Sequence, residues 1–167
     1  MVKQPRSDFL EILRVLRARD VDFIVVGGVS GVLHGAPITT IDLDLVHSRT
    51  DANIERLLLA LADLDAFGRG RSDQRRRPDR SHLQSPGHQL LMTKHGPLDL
   101  VGEVQNGRGY DDLLAHAVDF VLGPLSIRVI DLDTLIDLKE KTGREKDRAV
   151  IAVLKRTRDE IRTGRKR

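Results

Sequence analysis

The sequence predicts an α/β (α+β) protein, a small mixed β-sheet with helices packed on it and a helical C-terminus. Three observations carry this. Short β-branched runs alternate with longer segments whose apolar residues recur at helical spacing. Helices and strands interleave along most of the chain, which favours helices layered on a sheet. The last segment holds two helical patterns and no strand. With 167 residues, the chain suits a single domain over 1–167, with a core at about 20–130 and C-terminal helices at about 131–162.

The elements follow in order. Ser7 is a candidate cap for a first helix whose apolar face is Phe9, Ile12, Leu13 and Leu16. "VDFIVV" (residues 21–26) reads as a buried strand ending at Gly27-Gly28, and a short helix follows to about His34. "TTIDLDLV" (39–46) reads as a second strand, and residues 51–64 as an amphipathic helix. The arginine-rich stretch 69–80 reads as a loop. "HQLLMTKHGPLDLV" (88–101) predicts two strands around a turn at His95-Gly96-Pro97, "YDDLLAHAV" (110–118) a short helix, and "LSIRVI" (125–130) a strand. Two helices, about 132–142 and 145–162, are parted by Gly143.

Composition excludes several classes of function. Hydrophobic residues make up 40% and charged residues 32%, as in a soluble globular protein. Aromatics are only 3%, so Leu, Val and Ile must build the core. With no cysteine, disulfides, thiolate metal sites and a cysteine nucleophile are out. No segment can span a bilayer and the first residues lack a signal-peptide core, so no membrane is involved and a cytoplasmic location is expected. The six histidines show no H-E-x-x-H spacing, and no G-x-x-x-x-G-K-[ST] occurs, which argues against a zinc hydrolase and a P-loop NTPase.

Net charge is +3, but the excess is uneven. Residues 69–80 carry six arginines against two aspartates, and 155–167 are also basic. Arg75, Arg76 and Arg77 are thus candidate contacts to RNA phosphates. The alternatives are a solvated loop and a frayed helix end.

Asp-x-Asp occurs four times, at 20/22, 42/44, 63/65 and 131/133. Three of these fall at turns or helix ends, where aspartate is at home. Asp42 and Asp44 fall inside a predicted strand, so alternation sends both carboxylates to one face, with Ile41, Leu43 and Leu45 on the other. A divalent cation such as Mg²⁺, which favours oxygen ligands, would relieve their repulsion. Upstream, Gly27 and Gly28 let a phosphate approach the backbone, and Ser30 offers a hydroxyl.

Gly27-Gly28, thirteen intervening residues, then Asp42-Leu43-Asp44 resembles the signature of the polymerase-β-like nucleotidyltransferase superfamily. The stretch from Gly27 through Thr40 to Val46 is similar to the minimal bacterial nucleotidyltransferases of the AbiEii and related toxin-like families. The resemblance runs from about residue 22 to 154. It implies the nucleotidyltransferase fold and a Mg²⁺-dependent transfer of NMP from an NTP to a hydroxyl acceptor, with tRNA one such acceptor. It also implies a toxin role beside a cognate antitoxin protein. On it, Asp42 and Asp44 are metal ligands, and Asp99 in "GPLDLVGEV" is the third carboxylate and base. Gly27, Gly28 and Ser30 hold the triphosphate, Lys139 neutralises phosphate charge, and Thr40 and Asp147 are accessory. The family's Arg two residues before Thr40 is Ile38 here, and an acid three residues after Asp147 is Val150. These departures keep open a degenerate, non-catalytic binding module, antitoxin-like or regulatory. Protein nucleotidylation is a further alternative.

Overall fold

A computed structural model of the protein describes residues 8–70 and 76–164. Its centre is a seven-stranded mixed sheet of order β3-β4-β5-β2-β1-β7-β6. The strands are β1 (Phe23–Val26), β2 (Leu43–His47), β3 (Phe67–Gly68), β4 (His88–Thr93), β5 (Gly96–Val101), β6 (Ala117–Leu122) and β7 (Leu125–Ile130). The α-helices are α1 (Phe9–Ala18), α2 (Gly27–Leu33), α3 (Asp51–Asp63), α4 (Arg80–Gln84), α5 (Tyr110–Leu113), α6 (Leu132–Thr142) and α7 (Asp147–Arg162).

Strand alternation divides the core in two. One face of the sheet presents Val25, Leu43, Leu45, Leu98, Leu100 and Val129 to Ile12, Leu13 and Leu16 of α1 and Ile54, Leu57 and Leu61 of α3. The other presents Ile24, Val26, Val46, Val101 and Ile130 to Leu135 and Ile136 of α6 and Leu154 of α7. β1 is buried throughout, as a central strand covered on both faces must be.

Several sequence expectations are corrected. Asp8, not Ser7, caps α1, accepting from the Glu11 N–H at 3.1 Å; Ser7 lies outside the described residues. β2 begins at Leu43, so Asp42 stands just outside it. The reason is pairing: β1 ends at Val26, opposite Asp44, where the chain turns at Gly27, and the ladder to β5 starts at Leu43. Ile41 consequently misses the core and is 67% exposed. The turn between β4 and β5 is Lys94-His95, one residue earlier than predicted. The helix expected over 110–118 stops at Leu113, and a 3₁₀ turn (Leu114–His116) leads into the unpredicted edge strand β6. β6 and β7 form a hairpin through Gly123-Pro124, with Gly123 at φ +59°. β3 and α4 were also unpredicted, and both border the stretch read as a loop.

Candidate active site

The site is built on the two innermost parallel strands. β2 and β5 pair in register, Leu43 with Leu98, Asp44 with Asp99 and Leu45 with Leu100. Their leucines enter the α1–α3 core. Asp44 and Asp99 therefore share the opposite face, side by side at the strand spacing of about 4.8 Å. Burial, then the charge of Asp99 and a hydrogen bond with it, then the charge of Asp42, push the Asp44 carboxyl up to about 7. Lys139 opposes that rise, so its ammonium faces the same carboxylates.

Gly27 closes the site from the β1 side. Its φ is +66°, and a Cβ built on it would lie 2.1 Å from Asp44 Oδ2. Only glycine tolerates both the left-handed backbone and that contact. A Cβ on Gly28 would lie 2.8 Å from Thr40 Oγ1, so the segment before Asp42 packs directly on the glycine pair. Thr40 in turn donates to the Asp42 carbonyl at 3.3 Å.

Ser30 is fully buried, and its hydroxyl donates to the Gly27 carbonyl. It shapes the glycine turn and does not point a donor at solvent. Lys139 sits 3.7 Å from Asp147, the first residue of α7, and both side chains are largely buried. Thus Gly27, Asp42, Asp44, Asp99, Lys139 and Asp147 gather around one region. Ile38 and Val150, which stand where the resemblance expects polar groups, both pack against the α6–α7 core. His34 serves structure. Its Nε2 is 2.7 Å from the Ile130 carbonyl, and its ring meets Phe120 edge-on.

The arginine-rich stretch divides. Arg75 lies outside the described residues. Arg77 pairs with Asp65 and donates to the Ala66 carbonyl, while Arg80 pairs with Glu55 and Asp51 of α3. Arg76 is exposed. Among the described arginines of the stretch, Arg69 reaches the carboxylates, with Nη2 donating to Asp99 Oδ1 at 2.8 Å. Sequence reasoning passed over it, because nothing local separates it from the other arginines of its run.

The donor set can be tested against a metal. Among the described residues, no three acidic or imidazole groups stand ready-made around one point. Asp42 lies outside the strand, and one Asp99 oxygen is taken by Arg69. Mg²⁺, however, usually takes one or two carboxylates together with substrate phosphates. The close pair of Asp44 and Asp99, where burial and then the neighbouring charge drive Asp44 toward protonation, fits such an ion.

No family model matches the sequence, and no curated protein matches it. Solved structures do. The lincosamide antibiotic adenylyltransferase LnuA, lincomycin-bound, aligns over 87% of this chain and 93% of its own, with TM-score 0.59 at 14% identity. The chain has the nucleotidyltransferase fold. ANT(2")-Ia in complex with adenylyl-2"-tobramycin shares this fold over 91% of this chain and 86% of its own, with TM-score 0.58 at 12% identity. TM1012 of Thermotoga maritima, provisionally assigned as a nucleotidyltransferase, shares it over 89% and 93%, with TM-score 0.57 at 16% identity. The mixed sheet with packed helices described above thus has the nucleotidyltransferase fold, as the sequence resemblance implied.

Proposed function

We propose that this protein transfers an NMP from an NTP to a hydroxyl group. One observation carries the reading: two carboxylates in register on adjacent strands, directly beside a glycine turn that no side chain could enter. The turn at Gly27 and Gly28 receives the triphosphate, and Lys139, held by Asp147, neutralises part of its charge. Asp44 and Asp99, with Asp42 alongside, would hold Mg²⁺, which stabilises negative charge on the entering and leaving oxygens. Asp99 accepts the proton of the acceptor hydroxyl. The hydroxyl oxygen then forms its bond to the α-phosphorus as the bond to pyrophosphate breaks.

For the acceptor we propose RNA, with tRNA the class implied by the sequence resemblance, in a toxin whose activity a cognate antitoxin would restrain. The basic composition of residues 69–80 supports this reading, with Arg76 exposed. A second reading, a small hydroxylated acceptor, is favoured by the pairing of Arg77 and Arg80 with acids around α3, which leaves them less charge to offer a polyanion. The solved adenylyltransferases act on, or hold, antibiotics of that kind.

The test is incubation with each α-labelled NTP and Mg²⁺, in turn with total RNA, cell-lysate protein, and a lincosamide or aminoglycoside. Pyrophosphate and labelled product are followed. Labelled RNA supports the first reading and labelled antibiotic the second, while labelled protein moves the activity to protein nucleotidylation. NTP binding without any pyrophosphate release would leave a nucleotide-binding module and reject the enzyme.

A further inference from the structure

β3 is two residues long, and its residues are half-buried and exposed, so core burial does not account for it. Its position does have one consequence, at the residue that follows it. Arg69 N–H donates to the Leu90 carbonyl at 2.8 Å, extending the pairing with β4 one step beyond Gly68. Arg69 Nη1 donates to the Leu91 carbonyl at 2.8 Å, and Nη2 donates to Asp99 Oδ1 at 2.8 Å. Leu90 is itself the cross-strand partner of Asp99. The residue thus spans β4 from the sheet edge, its main-chain N–H held by the Leu90 carbonyl and Nη1 by the Leu91 carbonyl, and Nη2 ends on one carboxylate oxygen. That carboxylate is mostly buried, with 13% of its side chain exposed, against 29% for Arg69.

We propose that Arg69 is a positioning residue that holds the Asp99 carboxylate in its place beside Asp44. The inference rests on the nucleotidyl-transfer reading above for its role in a reaction, but not for its geometry. Like charge on Asp42, and on Asp44 once it ionises, pushes an untethered Asp99 side chain away from them, and the tether opposes this. It also leaves the other oxygen of Asp99 clear of Arg69. The planar fork of arginine is required, because one nitrogen must be occupied by Leu91 for the other to be aimed. A lysine ammonium is a single point charge on a flexible stem and cannot do both.

Arg69→Met, Arg69→Lys and Asp99→Asn, with the Arg69→Met/Asp99→Asn double variant, test this. In pyrophosphate release from the labelled NTP and acceptor mixtures, Arg69→Met should lower turnover on the order of 100-fold, the scale of a misplaced reacting group. NTP affinity should stay within about twofold, since no phosphate contact is removed. Arg69→Lys should not rescue turnover, and the double variant should be no slower than Asp99→Asn alone. Wild-type turnover in Arg69→Lys, or a multiplicative loss in the double variant, would overturn the proposal. A second readout needs no activity. The Arg69 Nη protons should give separate, slowly exchanging NMR signals in the wild type that collapse in Asp99→Asn. If the wild type transfers nothing, the proposed function falls while this signal still decides whether Arg69 holds Asp99. Unchanged Arg69 signals in Asp99→Asn would refute the tether itself.

Discussion

Replacing Asp44 with Asn should make the protein more stable at pH 8, an unusual outcome for a site residue and one whose size can be worked out. Burial beside Asp99 raises the Asp44 carboxyl from its ordinary 3.8 to about 7. A raised acid favours the protonated folded state. Below the unfolded value there is no penalty. As pH climbs from about 4 to 7, the unfolded chain ionises first and the fold loses stability, and above 7 the loss is complete. At about 1.4 kcal/mol per pH unit, the ceiling is about 4 kcal/mol. Asparagine carries no charge and removes this slope. In a domain of this size each kcal/mol moves Tm by roughly 2–4 °C. Urea and thermal unfolding in EDTA from pH 5 to 8 should therefore show wild-type stability falling and Asp44→Asn nearly flat, with the curves crossing. Mg²⁺ at pH 8 should return stability to the wild type, about 2.7 kcal/mol at a hundredfold excess over Kd, and do little for the variant. A wild type equally stable at pH 5 and pH 8, or an Asp44→Asn variant less stable at pH 8, would refute the claim that two crowded carboxylates define this site.

Gly27→Ala should cost about 1–2 kcal/mol from its left-handed backbone alone and abolish NTP binding by displacing Asp44, read by calorimetry and urea unfolding. Gly28→Val should collide with Thr40 and likewise block NTP binding, with Thr40→Ala partly relieving it. Lys139→Ala should weaken NTP binding by roughly 1.5–3 kcal/mol, and unchanged affinity would remove Lys139 from the phosphate site. Replacing Arg75, Arg76 and Arg77 with Ala should flatten the salt dependence of RNA binding by up to about three phosphate contacts without touching NTP affinity; an unaltered slope would exclude this stretch from RNA contact.

The parts that were legible in the sequence share a cause. Gly27-Gly28 and Asp42-Leu43-Asp44 stand out in the sequence because a glycine pair ending an apolar run and aspartates inside one are both costly. The long helices were readable for a similar reason: α6 was placed to the residue, since Asp131 caps it and Gly143 ends it in a left-handed turn. What escaped was set by partners distant in the chain. β3 exists only because β4 offers it an edge, and β6 only because β7 folds back on it. Asp42 reads as strand from alternation, yet β1 runs out before reaching it. Arg69 looks like any of its neighbours until the sheet carries it to Asp99, thirty residues on. Ser30 looked like an available hydroxyl, and only the fold turns it inward to Gly27.

The register of β2 against β5 has a consequence for how the site fails. The separation of Asp44 and Asp99 is dictated by the hydrogen-bonded spacing of two interior strands, with β2 fourth of seven in the sheet. No loop or hinge sets it. A slip of one residue would swing Asp99 into the layer occupied by Leu98 and Leu100 and bring a leucine out in its place. The carboxylate pair is therefore lost by nothing short of opening the middle of the sheet. The amide hydrogens of β2 and β5 should exchange only through global unfolding, and heat or denaturant should remove the proposed metal binding and the fold in a single transition.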